Sequence, residues 1–188
     1  VPINRSGSST YNNAVMAHGM LREERPEHHL NIHLLDPHTY SMVFGWYLYE
    51  MARKLQNGAE LRHDISEFAT QMNKMEVILG PYSLKQMKKS GRISAAAAVM
   101  GELMGIRPII TLIDGKTRVE STVRGDDKVI PAMIDLCKKR TEGVEDFDYM
   151  IGHTSIPQAA ELEKACRKAF GKAPLVTFNL GGVVSANT

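Results

Sequence analysis

The chain has 188 residues, 43% apolar and 23% charged, a globular composition that excludes disordered and low-complexity classes. Its 23 basic and 21 acidic residues leave a formal charge of +2, too little for a protein that coats a nucleic-acid backbone. Cys137 and Cys166 fall in segments read below as helices, which suits a reduced cytoplasmic protein better than a disulfide framework. No secretory signal opens the chain. The most apolar stretch, residues 93–113, contains Glu102, Arg107 and Pro108 and does not read as a membrane span.

Val1-Pro2-Ile3 reads as the end of a strand, and an opening on Val rather than Met leads us to expect a fragment. Ser8-Ser9-Thr10 then form a loop before a helix whose face carries Ala14, Ala17 and Leu21 and which stops at Pro26. Leu30 to Leu35 reads as a short strand closed by an Asp36-Pro37 turn. Two helices follow, one presenting Val43, Tyr47, Leu48, Met51 and Leu55 and ending at Asn57-Gly58, the other presenting Leu61, Ile65, Phe68, Met72 and Met75. Val77-Ile78-Leu79 is expected as a strand, with Pro81 in the first turn of a helix leading to Leu84 and Met87.

We expect a lobe boundary here, dividing the chain into 1–75 and 76–188. Gly91-Arg92-Ile93-Ser94 opens an alanine-rich helix to Met104. Pro108 to Ile113 and Thr117 to Val123 flank Asp114-Gly115, whose residues tolerate the positive φ of a tight hairpin turn. Asp126 is expected to cap a helix carrying Val129, Ile130, Met133, Leu136 and Cys137. A strand at Tyr149 to Ile151, a helix from Pro157 to Phe170 and a strand from Leu175 to Leu180 complete the chain. Strands alternating with helices argue for an α/β fold, with an antiparallel hairpin in the second lobe.

Ser8, Ser9 and Thr10 sit where hydroxyls and free N–H groups at a helix start would converge on an anion, a carboxylate or a phosphate. The competing reading is that one of them caps the helix. No G-x-S-x-G elbow marks a nucleophilic serine. Arg92 would add fixed positive charge at a second helix start. Lys85, Lys88 and Lys89 read as a solvated helix face, and Arg124-Gly125 as either a partner contact or a surface turn. A metal site at His28, His29 and His33 is disfavoured, because an i, i+4 pair shares a face only on a helix and this stretch reads as a strand. The eleven methionines, among them Met72, Met75, Met87, Met100 and Met104, read as adaptable core packing.

Several segments in order resemble the DegV family of fatty-acid-binding proteins, which includes the binding subunits of bacterial fatty acid kinase. Ser8-Ser9-Thr10-Tyr11 resembles the family's S-G-T-Y loop, Asp36-Pro37…Ser41…Gly45 its D-S…S…G segment, and Met87-Lys88-Lys89-Ser90-Gly91-Arg92-Ile93-Ser94 its L-K-x-G-G-R-I-S stretch. Ile106-Arg107-Pro108-Ile109, Asp114-Gly115 and Arg124-Gly125 follow as in the family. Ser9, Pro37 and Asn187 depart from the family's Gly, Ser and His, and the family's T-S-x-P-S segment has no counterpart here. The resemblance implies a two-lobed DegV-like α/β fold, with a Rossmann-like first lobe and a second lobe whose mixed sheet contains the hairpin.

The resemblance also implies a buried acyl chain whose carboxylate is held at the lobe junction by Ser8 with its neighbours Ser9 and Thr10, with Arg92 at the head-group end and Asn187 in the place of the family histidine. Arg124 would face an ATP-dependent kinase subunit that makes the acyl phosphate, and loading would involve transient contact with a membrane surface. No cofactor beyond the bound fatty acid and no nucleic-acid partner is expected. The chain has no G-x-x-x-x-G-K-[ST] loop, so the expectation is a presenting subunit rather than an enzyme. Two alternatives stay open: an enzyme acting on a small carboxylate or phosphorylated metabolite through Ser8 or Arg92, and a kinase-independent lipid sensor.

Overall fold

The computed structural model describes residues 1–91, 104–113 and 116–185. The chain divides into two units, Val1–Val77 with Leu112–Lys116, and Ile78–Thr111 with Thr117–Thr188.

The first unit contains α1 (Thr10–Glu24), α2 (Met42–Gln56) and α3 (Leu61–Met72). Helix α3 buries Phe68 and Met72, four residues apart on one face, and ends three residues before the expected Met75. Lys54 of α2 donates to Glu67 of α3 at 2.7 Å. Helix α1 buries no residue fully; on the expected face Ala14 and Leu21 are half-buried and Ala17 is exposed, while Val15, Met16 and Met20 on its other sides are exposed. Val1 to Ile3 and Leu30 to Leu35, both expected as strands, form no ladder. A strand exists only where its N–H and C=O groups meet those of a neighbour, and among the described residues 1–76 no second strand supplies them.

The remaining elements alternate as the sequence predicts: β1 (Val77–Leu79), α4 (Lys85–Lys89), β2 (Ile106–Ile113), β3 (Lys116–Arg124), a 3-10 turn (Asp126–Lys128), α5 (Val129–Arg140), β4 (Ile151–His153), α6 (Ile156–Phe170), β5 (Thr177–Asn179) and α7 (Gly182–Ser185). One sheet has the order β1-β2-β3. Its hairpin joins β2 to β3 through residues 114–115, and the predicted Asp114-Gly115 turn lies outside the described residues, as does most of the alanine-rich helix. In the second sheet β4 and β5 run parallel, with Ile151 opposite Thr177 and His153 opposite Asn179.

β2 carries the core of its sheet, with Ile109, Ile110 and Thr111 fully buried. Leu84 and Met87 of α4 pack with Ile110, and Leu79 joins them. Helix α4 starts at Lys85, later than Pro81 predicted; Leu84 and Met87 turn inward as expected while Lys85, Lys88 and Lys89 stay exposed. Gly80 lets α5 approach β1, since a Cβ there would strike Met133 and Val129. Asp126 does not cap α5; its carboxylate accepts from Arg107 Nε at 2.7 Å. Strand β4 begins at Ile151 rather than Tyr149, although the Tyr149 carbonyl already accepts from Leu175 N–H at 2.9 Å; the Tyr149 ring packs edge-on against Phe170 and its hydroxyl donates to the Lys172 carbonyl at 2.7 Å. Met104, expected in the core, is 49% exposed.

Candidate functional site

Two loops of the first unit meet through their backbones. Asn4 N–H donates to the Thr39 carbonyl at 3.2 Å, which sets the loop before α1 beside the loop before α2. Asn4 is almost wholly buried and organises the first loop as an Asx turn. Its Oδ1 accepts from Ser6 N–H at 2.7 Å and Gly7 N–H at 3.2 Å. Asp36 does the same for the second loop, accepting from His38 N–H at 3.0 Å and from Arg5 N–H at 3.4 Å. The Tyr40 hydroxyl occupies the space that a side chain at Gly7 would need.

The structure brings Ser8, Ser9 and Thr10 together at the start of α1. Thr10 N–H donates to Ser8 Oγ at 3.2 Å, and the Ser8 and Thr10 hydroxyls share a hydrogen bond at 2.7 Å. Ser9 holds the N-cap position without using its side chain. Ser8 thus performs the capping that was the simpler expectation, from one position earlier, while its hydroxyl and that of Thr10 remain at the opening of a 15-residue helix. Arg124 is exposed at the end of β3 in the second unit. Arg92 and Asn187 lie outside the described residues.

Sequence reasoning missed Asn4 and Thr39. Both are buried, at 1% and 2% exposure, and Asn4 Nδ2 and Thr39 Oγ1 have no hydrogen-bond partner among the described residues. Unpaired buried polar groups are uncommon, and these two flank the one backbone bond that joins the loops. The available signal was the Asn-Arg-Ser-Gly turn sequence at 4–7. His38 and Ser41 add a second mark, with φ of 53° and 63° on non-glycine residues.

Among the described residues no cluster of three or more His, Cys, Asp or Glu could hold a metal ion. His28 uses Nδ1 to accept from Leu30 N–H at 3.1 Å, which removes that nitrogen from ligation. Among the described residues no helix is long and apolar enough to cross a membrane.

The loops that meet here carry two of the segments by which the sequence resembles a family, and the DegV family profile matches residues 1–188. The chain belongs to the DegV family. A DegV domain-containing protein of Clostridium acetobutylicum is 27% identical over 178 residues, covering 94% of this chain and 61% of the relative. A stearic acid-binding protein from Eubacterium ventriosum superimposes with a TM-score of 0.86 at 20% identity, covering 99% of this chain and 64% of that one. The B3 protein of Streptococcus pneumoniae fatty acid kinase, loaded with linoleic acid, gives 0.80 at 17% identity, covering 98% of this chain and 65% of that one. These matches establish the α/β DegV fold for this chain, which spans less than two thirds of the length of these relatives.

Proposed function

We infer that this DegV chain binds a long-chain fatty acid and presents its carboxylate to an ATP-dependent kinase subunit. The observation that carries this reading is the shared fold over nearly all of this chain with proteins that hold stearic and linoleic acid. Local chemistry supports it. A carboxylate needs donors, and the one hydroxyl proton that the Ser8–Thr10 pair leaves free and the N–H groups of α1's first turn beyond Thr10 supply neutral ones at the start of the helix.

On this reading residues 1–75 and 76–188 are the two lobes, and the protein needs no ATP site or cofactor of its own. Arg92 stands at the head-group end, and Asn187 replaces an ionisable histidine with an amide that donates but carries no charge. Arg124 contacts the kinase, and the acyl chain is taken up during transient contact with a membrane surface in the cytoplasm. Most of the affinity comes from the tail: some fourteen buried methylenes give at most about 11 kcal/mol at about 0.8 each before ordering costs. Altering the head-group site therefore weakens binding without abolishing it.

The test is organic extraction of the purified protein with mass spectrometry of the extract, followed by palmitate titration. Co-purified fatty acid is expected, with Ser8→Ala binding palmitate more weakly by about 1.5 to 3 kcal/mol, the worth of a hydrogen bond to a charged acceptor. A clean extract together with no saturable palmitate binding would overturn the reading. Kinase presentation is checked separately by pull-down of a fatty acid kinase subunit, which Arg124→Glu should abolish.

A further inference from the structure

Helix α1 carries a second chemistry that the fatty-acid reading leaves unused. His18 and Arg22 on the helix and Arg25 at its C-cap recur at i, i+4 and i+7, so three basic side chains share one face. Past Pro26 the chain returns along residues 28–32, and the two segments flank an open cavity of about 620 Å³ lined by His18, Arg22, Arg25, His28, His29 and Asn31 among others. No acidic side chain is among the described residues that line it.

The counter-charges are weak. Arg22 makes no ion pair among the described residues, and Arg25 approaches Glu27 only at 3.7 Å, with the two side chains 71% and 67% exposed. Exposed pairs of this kind hold their partners loosely. His28 borders the cavity with its Nδ1 committed to Leu30 N–H and its Nε2 buried, so its ring offers an anion no free nitrogen.

The geometry points to a binding site for a phosphate-class oxyanion in this cavity, with Arg22 and Arg25 providing charge and the Asn31 amide a neutral donor. Two guanidinium forks match an anion with three or more acceptor oxygens better than a monoanionic carboxylate. The same group is presented by free phosphate and by a phospholipid head, and the experiment separates the two.

Inorganic phosphate is titrated by calorimetry into the wild-type chain, into Arg22→Gln/Arg25→Gln, and into Lys85→Gln/Lys88→Gln, which removes equal charge from α4. Each is also sedimented with phosphatidylglycerol vesicles. All four positions are exposed, and circular dichroism checks that folding is unchanged. Saturable phosphate binding weakened roughly tenfold or more in the arginine variant alone establishes a site for the free anion. Vesicle binding lost in the arginine variant alone, without phosphate binding, assigns the site to the lipid head. Equal behaviour of all three proteins, or binding of neither probe, overturns the proposal. Fatty-acid extraction does not depend on these arginines, so this proposal and the fatty-acid reading fail independently.

Discussion

At the scale of single residues, the loop pair around Asn4 and Thr39 combines close packing with backbone strain. A Cβ at Gly7 would strike the Tyr40 hydroxyl and ring, so the Tyr40 side chain has to move to admit one. Gly7→Ala is therefore expected to destabilise the chain by about 1 to 3 kcal/mol, the usual cost of forcing atoms into an occupied space, read as a lower urea midpoint. Ser41 predicts the opposite sign. Its φ of 63° and ψ of −150° lie in a region that only glycine occupies freely. Ser41→Gly should raise stability by about 1 kcal/mol, the relieved strain exceeding the entropic cost of glycine; an unchanged or lowered midpoint would show the strain is not borne there. Ser8 was legible because a hydroxyl before a helix start is a local pattern. Asn4 and Thr39 were not, since their burial depends on a contact 35 residues apart along the chain.

At the scale of elements, caps and helix faces decide the details. Ser155 and Gln158 stand at the spacing of a capping box at the start of α6, but the Ser155 hydroxyl donates directly to Gln158 Oε1 instead of accepting from the backbone. The other end of α6 follows the local rule, with Gly171 in the left-handed conformation at φ 71°. Cys166 lies on the buried side of α6, and burial first, then Cys137 and Glu163, pushes its thiol up to about 11. A raised thiol favours the protonated form in the fold. Its contribution to stability is complete below the ordinary thiol pKa and is lost as pH rises from there through about 11. Iodoacetamide should accordingly spare Cys166 at neutral pH in the folded protein and label it on unfolding, read by peptide mass spectrometry; fast labelling without unfolding would show that the thiol is accessible.

At the scale of the whole molecule, surface carboxylates set the response to acid. The hydrogen bond from Lys54 holds Glu67 below the ordinary carboxylate range, that from Lys172 lowers Asp146, and those from Arg167 and Thr177 lower Glu163. A carboxyl lowered in the fold adds stability above its unfolded pKa that is lost as pH falls through the folded one. The urea midpoint should drop as pH falls below the ordinary carboxylate range, and high salt should shrink the drop because these groups are exposed. A midpoint flat with pH would remove these pairs from the account. The sequence by itself determined the α/β alternation, the helices that end at Asn57 and Phe170, the strands either side of residues 114–115 and the family, because side-chain periodicity and turn chemistry act over a few residues. Tertiary structure decided the rest: Leu30 to Leu35 finds no ladder partner among the described residues of its unit, Asp126 turns to Arg107 rather than to its helix, and Asn4 meets Thr39. Each depends on a partner distant in sequence, and only the folded chain determines which partner is within reach.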